Sequence, residues 1–275
     1  MQATPNLLPP ARTRIAQAFD RGAADYITLA QAQHVMARTL FEALPSHLPA
    51  YSRVLDLGCG PGHWTRALAA RYPLVYCLGL DLSMAMLQKA AHECITDHHG
   101  VRWLRGDAEQ LPLASNSLDL VFSSLAVQWC DRPEKWLSEL ARTLRPGAMA
   151  FINTLGPGTL REIRHAWQRN DDSVRHFPSA ERLNTLATSI GLACQWRTQQ
   201  HVFHYPDFAS VMGSIKGIGA QMATGRRLLR TELQHARSRH ETLRTTQGLP
   251  VSYCVIELIL EKPVNYGNEK RINFA

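Results

Sequence analysis

The chain has 275 residues, of which 45% are hydrophobic and 19% are charged, enough apolar side chains for one sizeable core. No apolar run approaches the ~20 residues of a membrane-spanning helix, and the first residues lack the pattern of a secretory signal. The six cysteines are scattered without a Cys-x-x-Cys pair, so we expect reduced thiols in a cytoplasmic protein. His201 and His204 lack a third ligand, and we expect no metal site.

The formal net charge of +7 lies mainly after residue 150. An excess of positive charge in one part of a molecule suggests an acidic partner or substrate. A solvated basic face explains the same charge equally well, so the charge alone does not separate the two explanations.

The two ends of the chain carry little pattern. Residues 1–14 and 263–275 are predicted to be flexible tails around a single domain of residues 15–262. A helical stretch begins at Ile15, and from Leu29 to Leu44 apolar residues recur at the spacing of an amphipathic helix. These helices precede the first strand.

A glycine-rich turn, the glycine loop of residues 58–62, follows the apolar run Val54–Leu57 and precedes a helical pattern from His63 to Arg71. A strand, a tight glycine turn and a helix start together bring backbone N–H groups close to a ligand. Phosphate-binding loops read G-x-G-x-x-G, whereas an acid two residues before the first glycine suits a cationic or amine-bearing ligand. The loop resembles motif I of the class I S-adenosylmethionine (SAM) methyltransferases. The cofactor-binding residues predicted here are Asp56, Gly58, Cys59, Gly60 and Gly62.

Three further apolar runs, Leu74–Leu80, Val101–Arg105 and Leu118–Phe122, end near acids or small polar residues. Asp81 lies where an acid binds two ribose hydroxyls, although it could also cap the next helix. In SAM methyltransferases the position of Asp107 holds the adenine and its exocyclic amine. Because parallel strands end on one rim, we expect these residues to meet there. The predicted set is Asp81, Leu82, Asp107, Ala108, Glu109, Ser124 and Leu125.

Strands alternate with helices along residues 53–153, which predicts an α/β fold with βαβ units. The fold expected is the Rossmann-like sheet of a class I SAM methyltransferase, mostly parallel with an antiparallel last strand. Cys194–Tyr205 and Pro250–Glu261 are predicted to be the last two strands. The chain between them is too long for a turn. Residues 159–177 and 206–249 are therefore predicted to be helical lid insertions over the substrate mouth.

The stretch after the fourth predicted strand, Ser123–Ala126, lacks the Asn/Asp-Pro-Pro-aromatic run of enzymes that methylate amino groups of nucleic acids. The chain also contains no Pro-Cys pair, which cytosine-C5 enzymes need, and no clustered acids near strands four and five, which catechol-type enzymes need. A small-molecule or carrier-borne substrate remains, and we expect neither nucleic acid nor membrane as a partner.

Five segments together resemble one family: residues 18–26, the glycine loop, residues 111–114, residues 124–130 and residues 214–220. The most specific stretches read Leu-Ala-Val-Gln-Trp-Cys and Lys-Gly-Ile-Gly-Ala. The family is malonyl-acyl-carrier-protein O-methyltransferase, BioC of biotin synthesis. One departure is Asp20, where the family pattern has glycine.

The resemblance implies methyl transfer from SAM to the free carboxylate of a malonyl thioester on acyl carrier protein. That carboxylate is ionised at neutral pH and needs no general base. Arg21 and Lys216 are candidates to hold its second oxygen, and Tyr26 and Trp129 to wall the sulfonium and methyl group. Ordinary ion pairs and core packing explain these four residues about equally well.

Two other functions stay open at this point: a SAM methyltransferase of another small acid or a quinone precursor, and a non-catalytic SAM-fold binding protein. A quinone ring would demand a larger apolar mouth and a base, which the sequence does not reveal. The basic stretch Arg226–Leu243 is predicted to dock the acidic carrier protein, with a solvated helix face as the alternative.

Overall fold

The computed structural model describes residues 10–22, 31–93, 101–168, 176–217 and 229–264. Its strands are β1 Arg53–Leu57, β2 Tyr76–Asp81, β3 Val101–Arg105, β4 Leu118–Ser124, β5 Leu144–Leu155, β6 Ala193–Tyr205 and β7 Leu249–Glu261. Its helices are α1 Pro10–Gly22, α2 Gln31–Glu42, α3 His63–Arg71, α4 Met84–Glu93, α5 Pro133–Thr143, α6 Arg161–Trp167, α7 Ala180–Ser189, α8 Phe208–Gly217 and α9 Arg230–Glu241. A short 3-10 turn spans Val127–Trp129.

The described strands form one seven-stranded sheet in the order β3-β2-β1-β4-β5-β7-β6. The strands from β3 to β5 pair in parallel, whereas β7 runs antiparallel to both of its neighbours. The predicted α/β fold, mostly parallel with an antiparallel last strand, is therefore confirmed. Helices cover both faces, as a parallel sheet requires.

One predicted strand boundary moves: β2 begins at Tyr76, not at Leu74, because the N–H of Val75 is used in a turn, donating to the carbonyl of Tyr72. β5 begins at Leu144 and includes Pro146 and Gly147. Gly147 has φ of +80° and donates its N–H to the carbonyl of Lys262 at 2.7 Å, so this pair lies in the irregular start of the strand.

The amino-terminal prediction needs a correction. Helix α1 begins at Pro10, so residues 10–14 are helical and are not part of a tail. Proline is tolerated at a helix start because its missing N–H would have no intrahelical partner there. Arg12 is buried and fixes this end of the helix through contacts described below. Residues 1–9 and 265–275 lie outside the described residues.

Three hydrophobic clusters stabilise the fold. Two of them lie on opposite faces of the sheet. The third contains residues of helices α6, α8 and α9, and we call these three helices the helical layer. Buried side chains from this layer, from α2 and from the first half of β7 pack together, among them Met36, Ile163, Val211, Ala236 and Tyr253. None of the helices described is long and apolar enough to cross a membrane.

Candidate active site

The glycine loop is held against the ends of β2 and β4. The N–H groups of Gly58 and Cys59 both donate to the carbonyl of Leu80, at 2.7 and 3.1 Å. Gly58 has φ of +76°, and a Cβ there would lie 2.1 Å from the Cβ of Ala126. Only glycine satisfies both the conformation and the close approach.

Asp81 organises the loop and the start of α4 together. Its Oδ2 accepts the N–H of Gly60 and its Oδ1 accepts the N–H of Ser83, both at 2.8 Å. Ser83 in turn holds the helix start, because its hydroxyl accepts the N–H of Met86 at 3.2 Å. Burial raises the pKa of Asp81. Each carboxylate oxygen has a second lone pair, so the group can still accept hydrogen bonds from two ligand hydroxyls.

Asp56 lies behind the glycine loop. Its carboxylate is 2% exposed and accepts a hydrogen bond of 2.6 Å from the hydroxyl of Thr65. Burial raises the pKa of Asp56 to about 7. The sequence predicts that this carboxylate faces an amine-bearing ligand. In the structure, its hydrogen bond to Thr65 instead links β1 to α3.

Arg12 lies in the same site, although no sequence motif indicated it. Its guanidinium, 4% exposed, lies 3.2 Å from Asp107 Oδ2, forms an ion pair with Glu109 and donates to the carbonyl of Trp129 at 2.8 Å. Asp107 Oδ1 also accepts the N–H of Glu109 at 3.0 Å. The sequence signal for this residue is weak: Pro10, two positions earlier, is typical of a helix start.

The other end of α1 is fixed by Asp20. Its Oδ1 accepts hydrogen bonds from the hydroxyl of Ser83 and, at 3.2 Å, from the N–H of Ala85. Between the two ends, Phe19 contacts Trp129 edge to face, with ring centroids 5.4 Å apart. Where the family pattern has glycine, this chain thus has a carboxylate that ties α1 to the start of α4.

These elements line a cleft of about 660 Å³, including the open space at its mouth, which we call the glycine-loop cleft. The predicted cofactor residues on its wall are Gly58, Gly60, Asp81, Leu82, Asp107, Ala108 and Leu125. The other predicted cofactor residues, Asp56, Cys59, Gly62, Glu109 and Ser124, are not part of this wall. Glu109 accepts the N–H groups of Asp131 and Arg132 at 2.7 and 2.9 Å.

The four candidate catalytic residues have different positions. Trp129 lines the glycine-loop cleft. Arg21 is exposed near the end of α1 and is not part of the wall. Lys216 belongs to α8, but its side chain, like the whole of Tyr26, lies outside the described residues.

The wall suits an adenosyl group. Carboxylates of Asp81 and Asp107 stand where hydroxyl and amine donors can be bound, and the apolar side chains of Leu82, Met86 and Ala108 offer surfaces for a flat ring. Within the part of the chain that the structure describes, no cluster of His, Cys, Asp and Glu has the makings of a metal site.

Comparisons with known proteins agree with this architecture. A family model described as a methyltransferase domain matches residues 55–152. A malonyl-[acyl-carrier protein] O-methyltransferase of Dechloromonas aromatica is 42% identical over 261 residues, which cover 92% of this chain and 95% of that protein. The biotin biosynthesis bifunctional protein BioHC of Cellvibrio japonicus is 36% identical over 263 residues, 92% of this chain and 50% of that longer protein.

A solved structure of Haemonchus contortus phosphoethanolamine N-methyltransferase 2, in complex with S-adenosyl-L-methionine, is similar with a TM-score of 0.59. The similarity covers 95% of this chain and 62% of that chain, at 20% identity. At this identity the match shows a shared fold.

Proposed function

This chain belongs to the malonyl-[acyl-carrier protein] O-methyltransferase family, and on that basis we propose that it methylates the free carboxylate of a malonyl thioester carried by acyl carrier protein. The observation that supports this most strongly is the 42% identity to a relative of that name over nearly the full length of both chains. The cofactor is SAM, as the methyltransferase domain indicates.

When bound, SAM supplies a methyl group on a positively charged sulfur. Asp81 would hold the ribose hydroxyls with its remaining lone pairs, and Asp107 would accept the adenine amine. Arg12 orients the Asp107 carboxylate through their ion pair, since an arginine is cationic at every accessible pH. Leu82, Met86 and Ala108 would pack on the ring.

The substrate carboxylate is its own nucleophile, so the chain has to position it and exclude water. Phe19 and Trp129 give this part of the wall an apolar surface. Cys130 lies beside them, but burial raises its pKa to about 12, so its thiol stays protonated and is neither base nor nucleophile. Arg21 and Lys216 remain our candidates to hold the second carboxylate oxygen.

The carrier protein requires a surface as well as a cleft. The exposed residues Arg230 and Arg237 lie seven positions apart on α9, on one helix face with the half-exposed Leu233 between them. We propose that this basic face binds the acidic carrier and that the described parts of residues 159–177 and 206–249 form a lid over the substrate. Residues 169–175 and 218–228 of these two segments lie outside the described residues. Arg226 and Arg227, at the start of the predicted basic stretch, lie outside the described residues.

The state of the cysteine thiols bears on the cellular compartment of this chain. None of the cysteines in the described part of the chain forms a disulfide, and Cys59, Cys77 and Cys254 are buried. Buried thiols that form no disulfide favour a reducing compartment. We therefore propose that the chain works in the cytoplasm.

A labelled-methyl assay tests the proposed function. Purified protein is incubated with methyl-labelled SAM and a panel of acceptors: malonyl-carrier, a small malonyl thioester, free malonate, other short acids and a quinone precursor. We expect label on malonyl-carrier at the highest kcat/KM, and on the small malonyl thioester at a lower one. Preferred labelling of the quinone precursor or of an unrelated acid would contradict the proposal.

The pH dependence gives a second test. Because no protein base is needed, kcat with both substrates saturating should stay flat from about pH 6.5 to about pH 8.5. An ionisation in that window, in a step shown to be methyl transfer and still present in an Asp56→Asn variant, would mean that a protein base takes part and that the substrate carboxylate is not the nucleophile.

A further inference from the structure

A second, open cleft lies beside the glycine-loop cleft, with a volume of about 1180 Å³ that includes the space at its mouth. The 3-10 turn separates the two: Trp129 lines the glycine-loop cleft, whereas Val127 and Gln128 line the second. Cys130 belongs to both walls, so the two clefts lie on either side of this residue. We call the second space the Gln128 cleft.

Gln128 brings an unused hydrogen-bond acceptor to this cleft. Its side chain is 8% exposed, and its Nε2 donates to the carbonyl of Leu125. Its buried Oε1 has no donor among the residues that the structure describes. A buried amide oxygen without a donor is costly in a folded protein and marks a place where a ligand N–H can bind.

The start of α7 brings positive charge to the same cleft. Ser179 caps this helix by accepting the N–H of Arg182 at 3.3 Å, and the side chain of Arg182 is exposed and lines the cleft. No carboxylate within the described ranges pairs with that guanidinium. A helix N-terminus and an arginine together favour an anion. Asp131 is the acid of this wall.

Apolar side chains complete the wall, among them Val127, Trp136 and Phe177. The cleft therefore combines an anion-binding end, an apolar surface and an amide acceptor, next to the space where the methyl donor binds. A carrier arm has the matching groups: a phosphodiester, alkyl segments, amide N–H groups and a terminal thioester.

We propose that the Gln128 cleft binds the phosphopantetheine arm of the carrier-borne substrate, an inference that rests on the proposed function. Arg182 and the start of α7 bind the phosphate, Gln128 Oε1 accepts an amide N–H of the arm, and the malonyl end passes Cys130 into the glycine-loop cleft.

Three malonyl thioesters of decreasing length test the two contacts separately. Malonyl-phosphopantetheine has phosphate and amides, malonyl-pantetheine has the amides alone, and malonyl ethyl thioester has neither. Arg182→Ala should lower the kcat/KM ratio of the first to the second about fivefold. Gln128→Met should lower the ratio of the second to the third about fivefold, the usual effect of one lost hydrogen bond.

Arg102→Ala is the matched control, because Arg102 is exposed on β3 and lines neither cleft. It should leave both ratios unchanged. The SAM affinity measured by calorimetry reports whether each variant is folded. If Gln128→Met does not fold, Arg182→Ala alone tests whether the cleft binds the arm.

The outcomes separate this inference from the proposed function. Unchanged ratios in folded variants, with an active wild type, would overturn the arm-binding role of the Gln128 cleft. A wild type that methylates none of the three thioesters and no malonyl-carrier would overturn the proposed function itself.

Discussion

The glycine-loop cleft and the helical layer are built by different interactions. In the cleft, backbone N–H groups near the strand ends fix polar side chains, as Gly60 and Ser83 fix Asp81. In the helical layer, apolar side chains from segments far apart in the chain pack together, as Val211 and Tyr253 do. The hydrogen bonds of the cleft hold individual polar atoms at defined distances, whereas the apolar contacts of the helical layer hold only its overall surface in place.

Because the two regions are built differently, substitutions in them should have different effects. Changes in the glycine-loop cleft should alter SAM affinity and stability, since each polar group there has several partners. Changes on the outside of the helical layer should alter the use of carrier-borne substrate and leave the cofactor site intact. Four variants test that division.

Arg12→Ala should have the largest effect. It leaves the carboxylates of Asp107 and Glu109 without their cation. Breaking a buried ion pair from one side costs about 3 kcal/mol or more, and the unfolding free energy in urea should fall by that amount. Arg14→Ala is the control, because Arg14 is exposed on the same helix. Equal effects of the two variants would mean that Arg12 contributes helix propensity alone.

Asp81→Ala should weaken SAM binding by about one to two decades, since each hydroxyl left unpaired costs about 1–3 kcal/mol. Calorimetry on the folded variant measures the change. Glu134→Ala, an exposed change in the first turn of α5, should have no effect on SAM affinity. An unaltered dissociation constant for the folded Asp81 variant would remove this residue from the cofactor site.

Asp56→Asn should show a pH-dependent gain in stability. The folded-state pKa of about 7 lies above the ordinary value of 3.8, so the carboxylate destabilises the fold increasingly from about pH 4 to pH 7. Asparagine removes that penalty and can still accept the Thr65 hydroxyl. Relative to wild type, its unfolding free energy should rise by about 2.6 kcal/mol between pH 5 and pH 8. A difference that is constant with pH would show that Asp56 is charged throughout.

Arg230→Glu should have the smallest effect and should be confined to carrier-borne substrate. An acid is tolerated at this first residue of α9 because the helix dipole favours negative charge there. We expect KM for malonyl-carrier to rise about threefold, the size of a single steering charge, with no change for malonyl ethyl thioester. Arg102→Glu controls for net charge. A parallel fall on both substrates would place the docking face elsewhere.

The sequence predicted what is local in the chain. Asp81 and the glycine loop follow strands directly, so their meeting on one rim required no knowledge of packing. Arg12 was out of reach because its carboxylate partners lie far along the chain and no periodic pattern surrounds it. Asp56 lies behind the glycine loop, where its carboxylate accepts the hydroxyl of Thr65. No sequence motif predicts this hydrogen bond. The sequence predicted β6 and β7, but not which helices would pack beside them.

The most direct test of the central claim identifies the atom that receives the methyl group. Malonyl-carrier is incubated with methyl-labelled SAM, and the product is treated with mild alkali and examined by tandem mass spectrometry. We predict that the label is on a carboxylate oxygen and is released as methanol by alkali. Label that resists alkali and fragments with the malonyl carbon chain would show carbon methylation and would contradict the carboxylate as nucleophile.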